Sequence, residues 1–365
     1  MAGLSCGIVG LPNVGKSTLF NALTSNQAEA SNYPFCTIDP NVGVVDVIDP
    51  RLAVLSEMSH SKKIVYATMQ FVDIAGLVAG ASTGEGLGNK FLANIRETDA
   101  IVHVVRCFDS NDITHVTGKV NPIDDIQVIN LELCLADLQT AENVYNRVQK
   151  QAKGNKEMQP QLEVLAKVQA HLNNNQPVRS LPLSPEELEI LEAYPFLTAK
   201  KVLYAANVSE ADLPGMDNQY VQQVREYAEK EGNFVIPICA KLEEEIAQLS
   251  PAERGEFLEG LGLKESGLQR LIRTSFDMLG LITYLTTGEM ETRAWTIQDG
   301  MTAVEAAGKI HTDIQKGFIR AEVVAYDDMA AYKGRSGAKE MGKVRSEGRD
   351  YLVKDGDVIL FMHKS

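Results

Sequence analysis

The sequence predicts an α/β fold with a mostly parallel sheet, and three observations carry that expectation. Short runs rich in β-branched residues, at 7–9, 69–73, 101–105 and 201–207, alternate with helical or loop sequence. A glycine-rich motif of the phosphate-binding type follows the first run and opens a helix. From about residue 281 the pattern changes to short strands at 293–297, 318–326 and 358–362, with one helix near 302–310.

The four early runs are brief, mainly apolar and flanked by helical or loop sequence. Strands buried on both faces read this way, because parallel strands require crossover helices that cover the sheet. A run at 42–48 adds a further strand, expected antiparallel to its neighbour. Between the third and fourth runs, Leu131, Leu135, Leu138, Tyr145 and Val148 keep helical spacing. After the polar break at 152–156, Leu162, Leu165, Val168 and Leu172 do the same. Two helices joined by so short a turn form an antiparallel hairpin. Ser184-Pro185-Glu186-Glu187 is the signature of one more helix start. A narrow apolar stripe on an otherwise polar surface fits an arm inserted at 129–196; helices that simply cover the sheet are the alternative. The segment 279–365 reads as a separate, smaller α+β module, leaving 1–128 and 197–278 for the main domain.

Length supports this division, since 365 residues exceed one ordinary core. Hydrophobic residues at 44% and charged residues at 23% are those of a soluble globular protein. No apolar run approaches the ~18 residues of a membrane span. Residues 1–6 lack both a basic lead and a long apolar stretch, so a cytoplasmic protein with no membrane partner is expected. Five scattered cysteines without a CxxC pair predict reduced thiols rather than disulfides or zinc. A net charge of −14 disfavours wholesale wrapping of nucleic acid. Residues 279–365, however, hold 12 Lys/Arg against 13 Asp/Glu, so the deficit lies in the first 278 residues.

Gly10-Leu-Pro-Asn-Val-Gly15-Lys16-Ser17 fits GxxxxGK[ST] between a strand and a helix, the context that motif requires. Its backbone N–H groups, with Asn13, Val14, Gly15 and Thr18, are expected to wrap phosphates at the helix N-terminus. Lys16 would reach the β- and γ-phosphates, and the Ser17 hydroxyl would hold Mg²⁺. Asp73-Ile-Ala-Gly76 fits DxxG at a strand end, with Asp73 positioning the metal and the Gly76 N–H facing the γ-phosphate. Thr37, between the first helix and the next strand, is either a magnesium ligand or an ordinary loop threonine. Asn13 either assists a monovalent cation such as K⁺ or simply shapes the turn beside Pro12.

Base recognition is expected in the loop after 201–207, at Asn207, Val208 and Glu210, with Ala240 closing over the base. A guanine reader has Asn-Lys-x-Asp there; here Val208 and Glu210 replace the Lys and Asp. Losing that bidentate contact points to ATP or to weak discrimination. The residue after DxxG is Leu77, which cannot orient water as a glutamine would. His115, in a polar loop leaving a strand's C-terminal end, can handle a proton or can be an exposed bystander. His103 sits mid-strand and reads as core. Six basic residues against two acidic ones between Lys333 and Arg349 read as a flexible basic loop suited to RNA phosphates, or as a solvated charge run.

Taken together, 10–17, Tyr33-Pro34-Phe35-Cys36-Thr37, Asp73-Ile-Ala-Gly76-Leu77-Val78, Asn207-Val-Ser-Glu210 and Trp295-Thr-Ile-Gln-Asp-Gly300 resemble the YchF family of Obg-like ATPases. The likeness covers essentially the whole chain. It implies a P-loop G-domain, an inserted coiled-coil arm and a β-grasp-like TGS domain. It also implies ATP preferred over GTP, Mg²⁺, slow hydrolysis, a monomer, and a ribosome or ribosomal-RNA partner engaged by the arm and the TGS domain. On the same ground Thr37 becomes a magnesium ligand and Val208 a base contact. Two rival readings are an RNA-binding GTPase and a P-loop small-molecule kinase; the glycine-rich stretch after DxxG, in place of an acceptor lid, disfavours the kinase.

Overall fold

The structure, a computed structural model, describes residues 4–28, 39, 41–75, 86–111 and 118–364. In chain order it begins β1 (Ser5–Val9), α1 (Lys16–Thr24), β2 (Val42–Val47), α2 (Pro50–Ser59), β3 (Ile64–Val65), β4 (Ala67–Asp73), α3 (Gly86–Arg96) and β5 (Ala100–Arg106). Two hairpin helices, α4 (Pro122–Ala152) and α5 (Gln159–Asn173), precede α6 (Pro185–Glu192). Then come β6 (Val202–Asn207), α7 (Gln219–Glu231), β7 (Phe234–Ile238), α8 (Ala240–Ala247), α9 (Pro251–Gly260) and α10 (Gly267–Met278). The chain continues with β8 (Leu281–Thr287), β9 (Thr292–Gln298), α11 (Ala303–Ile310), α12 (Thr312–Lys316) and β10 (Phe318–Ala325). It ends with α13 (Tyr326–Ala331), α14 (Arg335–Glu340), β11 (Arg345–Glu347) and β12 (Asp357–His363).

These elements pack as two compact units. One is built mainly from the chain up to Asn26 and from Gln70–Leu271; the other from Val44–Met69 and Ile272 onward. Segment 44–69 therefore departs from the division read along the sequence. Its strand β3 pairs in parallel with β9 (Ile64↔Thr292), and Arg51 of α2 binds Asp49 at 2.8 Å and Asp355 at 3.0 Å.

The first sheet has strand order β2-β4-β1-β5-β6-β7. From β4 to β7 every pair is parallel, with Cys6 opposite both Phe71 and Ala100, and Ile101 opposite Val202. Every residue of β1, β5 and β6 is buried, which is why these runs are mainly apolar. Parallel order places the C-terminal ends of β1, β4, β5 and β6 along one edge, where ligands bind in such sheets.

Helix α4 starts at Pro122, capped by the Asn121 side chain, rather than near 129. The expected domain boundary thus falls inside one 31-residue helix. Its first turns bury Ile126, Ile129 and Leu133, while Cys134, Ala141, Val144 and Val148 pack with Val164, Leu165, Val168 and Leu172 of α5. Leu131 and Leu135, expected on the apolar stripe, are both 41% exposed. The stripe that meets α5 runs through 134, 141 and 148, and Leu135 lies about 100° round from it. Asp137, fully buried, anchors α4 by accepting from the N–H groups of Leu197 (2.8 Å) and Thr198 (2.7 Å) and from the Thr198 hydroxyl (2.6 Å). Burial pushes that carboxyl above the usual range, and the three donors oppose the shift. Nearby, Arg179 and Glu231 form a buried ion pair at 3.5 Å, with Arg179 also donating to Asn130 (2.9 Å) and Tyr204 donating to Glu231 (2.7 Å).

In the second unit the sheet order is β11-β10-β12-β8-β9-β3, with β10–β12 and β8–β9 antiparallel. Tyr284, Ile297, Ala303, Ala306 and Phe361 form its core, and Trp295 stacks on Tyr284 with ring centroids 6.3 Å apart. The basic stretch 333–349, expected as a flexible loop, contains α14 and β11. Arg345 pairs with Glu347 at 3.1 Å and Arg335 lies 4.0 Å from Glu322, which fixes part of that charge in place.

His103 is core, as its mid-strand place implies. It is 2% exposed, and its Nε2 has no hydrogen-bond partner among the described residues. Burial, reinforced by the nearby Arg179 charge, lowers its pKa to about 3. Unfolded, the imidazole would take a proton below pH ~6.5, while the folded chain refuses it until about pH 3. Between those limits it therefore costs stability as pH falls, by about 1.4 kcal/mol per pH unit. Urea unfolding of wild type and His103→Leu at pH 7 and pH 5 checks this: the variant should lose about 2 kcal/mol less over that interval. Equal losses would mean the imidazole is not held neutral.

Candidate nucleotide-binding site

The motif at 10–17 leaves β1, turns, and delivers its last residues to the first turn of α1. Two positive-φ residues make the turn: Asn13 at 63° and Gly15 at 100°. Gly15 caps α1 in the left-handed region without any side-chain hydrogen bond, so the first N–H groups of the helix face outward for an anion. A side chain at Gly15 is excluded twice, by its φ and by the Asn207 amide, which a Cβ would meet at 2.2 Å. Val14, 1% exposed, is buried beneath the loop.

A cavity of about 940 Å³ lies over this turn. Asn13, Gly15, Lys16, Ser17 and Thr18 line one side; Asn207, Val208, Glu210 and Ala240 line the other. Nine residues expected from the sequence thus meet in one cavity from three separate segments, 13–18, 207–210 and 240. Val14 contributes from below, through its carbonyl. Asp73 does not line the cavity but reaches its floor: the Lys16 ammonium pairs with the Asp73 carboxylate and donates to the Ile74 carbonyl at 2.9 Å. Thr37, Gly76 and His115 lie outside the described residues, as does Leu77.

Asn207 faces the backbone rather than open space. Its Nδ2 donates to the Val14 carbonyl at 2.9 Å, and its Oδ1 accepts from the Ala240 N–H at 3.0 Å. At 5% exposed, the amide ties the phosphate loop to the start of α8. Val208 is 2% exposed, and its N–H donates to the Ile238 carbonyl at 2.9 Å, so the loop is stitched to β7. Glu210 extends to the rim, where its carboxylate lies 3.6 Å from the Lys241 ammonium.

Lys241, beside Ala240 in the loop expected to close over the base, also lines the cavity, as do Phe108 and Asp109, which were not foreseen. The signal for Phe108 was available: it stands two residues past β5, on the binding edge. Its carbonyl accepts from Arg106 Nε at 3.1 Å, and the Arg106 guanidinium lies 4.7 Å from its ring centre, which fixes the aromatic face. Asp109 accepts from the Tyr220 hydroxyl at 3.0 Å. For a divalent cation, the exposed Ser17 hydroxyl and the Asp73 carboxylate are the hard oxygen donors that Mg²⁺ takes.

Two substitutions separate charge from architecture. Lys16→Ala should abolish triphosphate binding while leaving the chain folded, because it removes the phosphate-facing charge and frees Asp73, which is 25% exposed and can be hydrated. Asn207→Ala should weaken both binding and stability, stranding a buried carbonyl and a buried N–H at a cost of about 2–3 kcal/mol. Fluorescent-nucleotide titration with a thermal melt of each variant checks the pair. Retained binding in Lys16→Ala would remove the phosphate assignment.

Comparison with known proteins agrees with this geometry. Residues 5–137 match a family model described as "50S ribosome-binding GTPase", and residues 281–364 match a model named YchF-GTPase_C, described as a protein of unknown function. The chain is 57% identical over 360 residues to the Pasteurella multocida "Ribosome-binding ATPase YchF", covering 98% of this chain and 99% of that one. It is 55% identical over 362 residues to the Bacillus subtilis protein of the same name, covering 98% of each. Among solved structures, the Schizosaccharomyces pombe YchF GTPase superposes with a TM-score of 0.88 at 38% identity over 99% of both chains. With a P-loop cavity of this form and relatives spanning its whole length, the chain belongs to the YchF family.

Proposed function

We propose that the chain is a cytoplasmic, ribosome-associated nucleotide switch that binds ATP, and GTP more weakly, and hydrolyses it slowly. One observation carries the reading: a single cavity joins the phosphate loop at Lys16 and Ser17 to a base loop carrying Val208 and Glu210 in place of a guanine-reading Lys and Asp. The names of the relatives in Pasteurella multocida and Bacillus subtilis support both the ATP and the ribosome. Lys16 would neutralise phosphate charge, the 13–18 backbone would donate to phosphate oxygens, and Glu210 would face the base edge. Ser17, Thr37 and Asp73 would hold Mg²⁺, which when bound offsets the triphosphate charge. Gly76 would offer its N–H to the γ-phosphate, and Asn13 would flank a K⁺ ion.

The remaining assignments belong to the same reading. The main domain covers 1–128, without segment 44–69, and 197–278; the helices within 129–196 serve as a coiled-coil arm, and 279–365 is a TGS domain that 44–69 joins. The arm and the TGS domain contact the ribosome or its RNA, and Lys339 and Lys343, which have no ion-pair partner among the described residues, suit phosphates there. The switch works as a monomer. The runner-up, an RNA-binding GTPase, draws on the word GTPase in one matching family description and in the name of the Schizosaccharomyces pombe relative. Affinities for ATP and GTP, measured side by side with and without ribosomes, decide between the two; GTP bound more tightly would favour the second.

Two variants probe the site within this reading. Val208→Lys combined with Glu210→Asp should shift the ratio of ATP to GTP affinity toward GTP by about tenfold or more, since it rebuilds the paired contact. An unchanged ratio would place base reading elsewhere. His115→Ala should cut single-turnover hydrolysis at saturating ATP-Mg²⁺ by about 10²-fold or more while leaving affinity intact. A rate within about twofold of wild type would make His115 a bystander.

A further inference from the structure

The second unit contains a cavity of about 580 Å³, well inside the size range of small-molecule sites. Its wall is mixed: Ile310, Ile314, Met329 and Ile359 form an apolar part, and the hydroxyls of Ser59, Thr286, Thr287 and Ser336 with His363 form a polar part. Two cations stand at it, Lys333 and Arg335, and no Asp or Glu lines it. That is unusual chemistry for a chain of net charge −14.

The cations are held there by backbone geometry. Lys333 sits at φ 55°, in the left-handed region that lysine rarely adopts, and Gly334 follows at φ 117°. A side chain at Gly337 would meet the Tyr332 carbonyl at 1.9 Å, so the turn closes tightly on itself. Strain of this kind persists where surrounding structure enforces it, and it marks functional positions. Arg335 is braced by the carbonyls of Glu322 (3.5 Å) and Val358 (3.4 Å). Lys333 has no ion-pair partner among the described residues.

We propose that this cavity binds a small amphipathic anion, with its apolar body against the Ile310–Ile359 wall and its phosphate or carboxylate head at Lys333 and Arg335. The apolar wall supplies the affinity that buried hydrocarbon gives, and the paired cations select the charged head. Neither feature alone specifies a ligand; an apolar wall segment beside Lys333, which has no ion-pair partner among the described residues, and Arg335, which lies 4.0 Å from Glu322, does.

The test uses the full chain with ¹³C-labelled Ile and Met methyl groups and three probes of one shape: 1-naphthyl phosphate, 1-naphthoate and 1-naphthol. Saturable shifts are expected at the Ile310, Ile359 and Met329 methyls with one or both anions, and weaker binding with naphthol. The stronger anion identifies the head group. Lys333→Asn, which suits the left-handed backbone and removes only the charge, should weaken the anion about tenfold and leave naphthol unchanged. Absence of shifts at these methyls, naphthol binding as tightly as the anions, or an unchanged affinity in Lys333→Asn would each overturn the proposal.

Discussion

One side-chain amide organises the nucleotide cavity. Asn207 ends β6 and spends its donor on the Val14 carbonyl and its acceptor on the Ala240 N–H. Both partners are backbone groups from segments far apart in sequence, and both would be buried and unsatisfied without it. The phosphate loop, the base loop and the start of α8 consequently keep one mutual geometry. Gly15 is bound into the same constraint, because the amide occupies the space a Cβ would need. The most sequence-distinctive residue of the base loop is thus architectural first, and it leaves Val208, Glu210 and their neighbours to meet a ligand.

Around that knot, charge is paired rather than free. Lys16 engages Asp73 and Glu210 engages Lys241, so the cations and anions that would face a triphosphate and its base already hold one another. Glu210 and Lys241 are largely exposed, where such a pair is worth little, and either side chain is readily released to a ligand. The pair beneath the phosphate loop is more enclosed and would exchange one strong partner for another when phosphates arrive.

The parallel sheet was legible because β1, β5 and β6 are buried on both faces, so the middles of the runs at 101–105 and 201–207 are almost continuously apolar, His103 excepted. The phosphate motif was legible because its glycines and lysine have no cheaper explanation. Legibility failed where packing, rather than period, decides. Leu131 and Leu135 have helical spacing yet face out, because α5 covers a different stripe of α4. Segment 44–69 reads as part of the first domain along the chain, but two residues of β3 and the Arg51 ion pairs commit it to the second unit. Phe108 went unread although it stands two residues past β5, because a single aromatic forms no repeat and its place on the binding edge shows only once the sheet is assembled.

Helix α4 deserves to be viewed as a mechanical part. Its first turns are fixed to the sheet layer through Ile126 and Ile129, and the Asp137 clamp to Leu197 and Thr198 sits near its middle. Its 31 residues extend about 46 Å at 1.5 Å per residue. No break interrupts the helix between its sheet-bound start and the far end of the hairpin. It is therefore a lever held at its sheet-bound end: a tilt of about 5° at the base would carry the tip about 4 Å, roughly three-quarters of the ~5.4 Å helical pitch. A small change in the packing of β5 against α4 would be enlarged into a displacement of several ångströms at the far end of the hairpin.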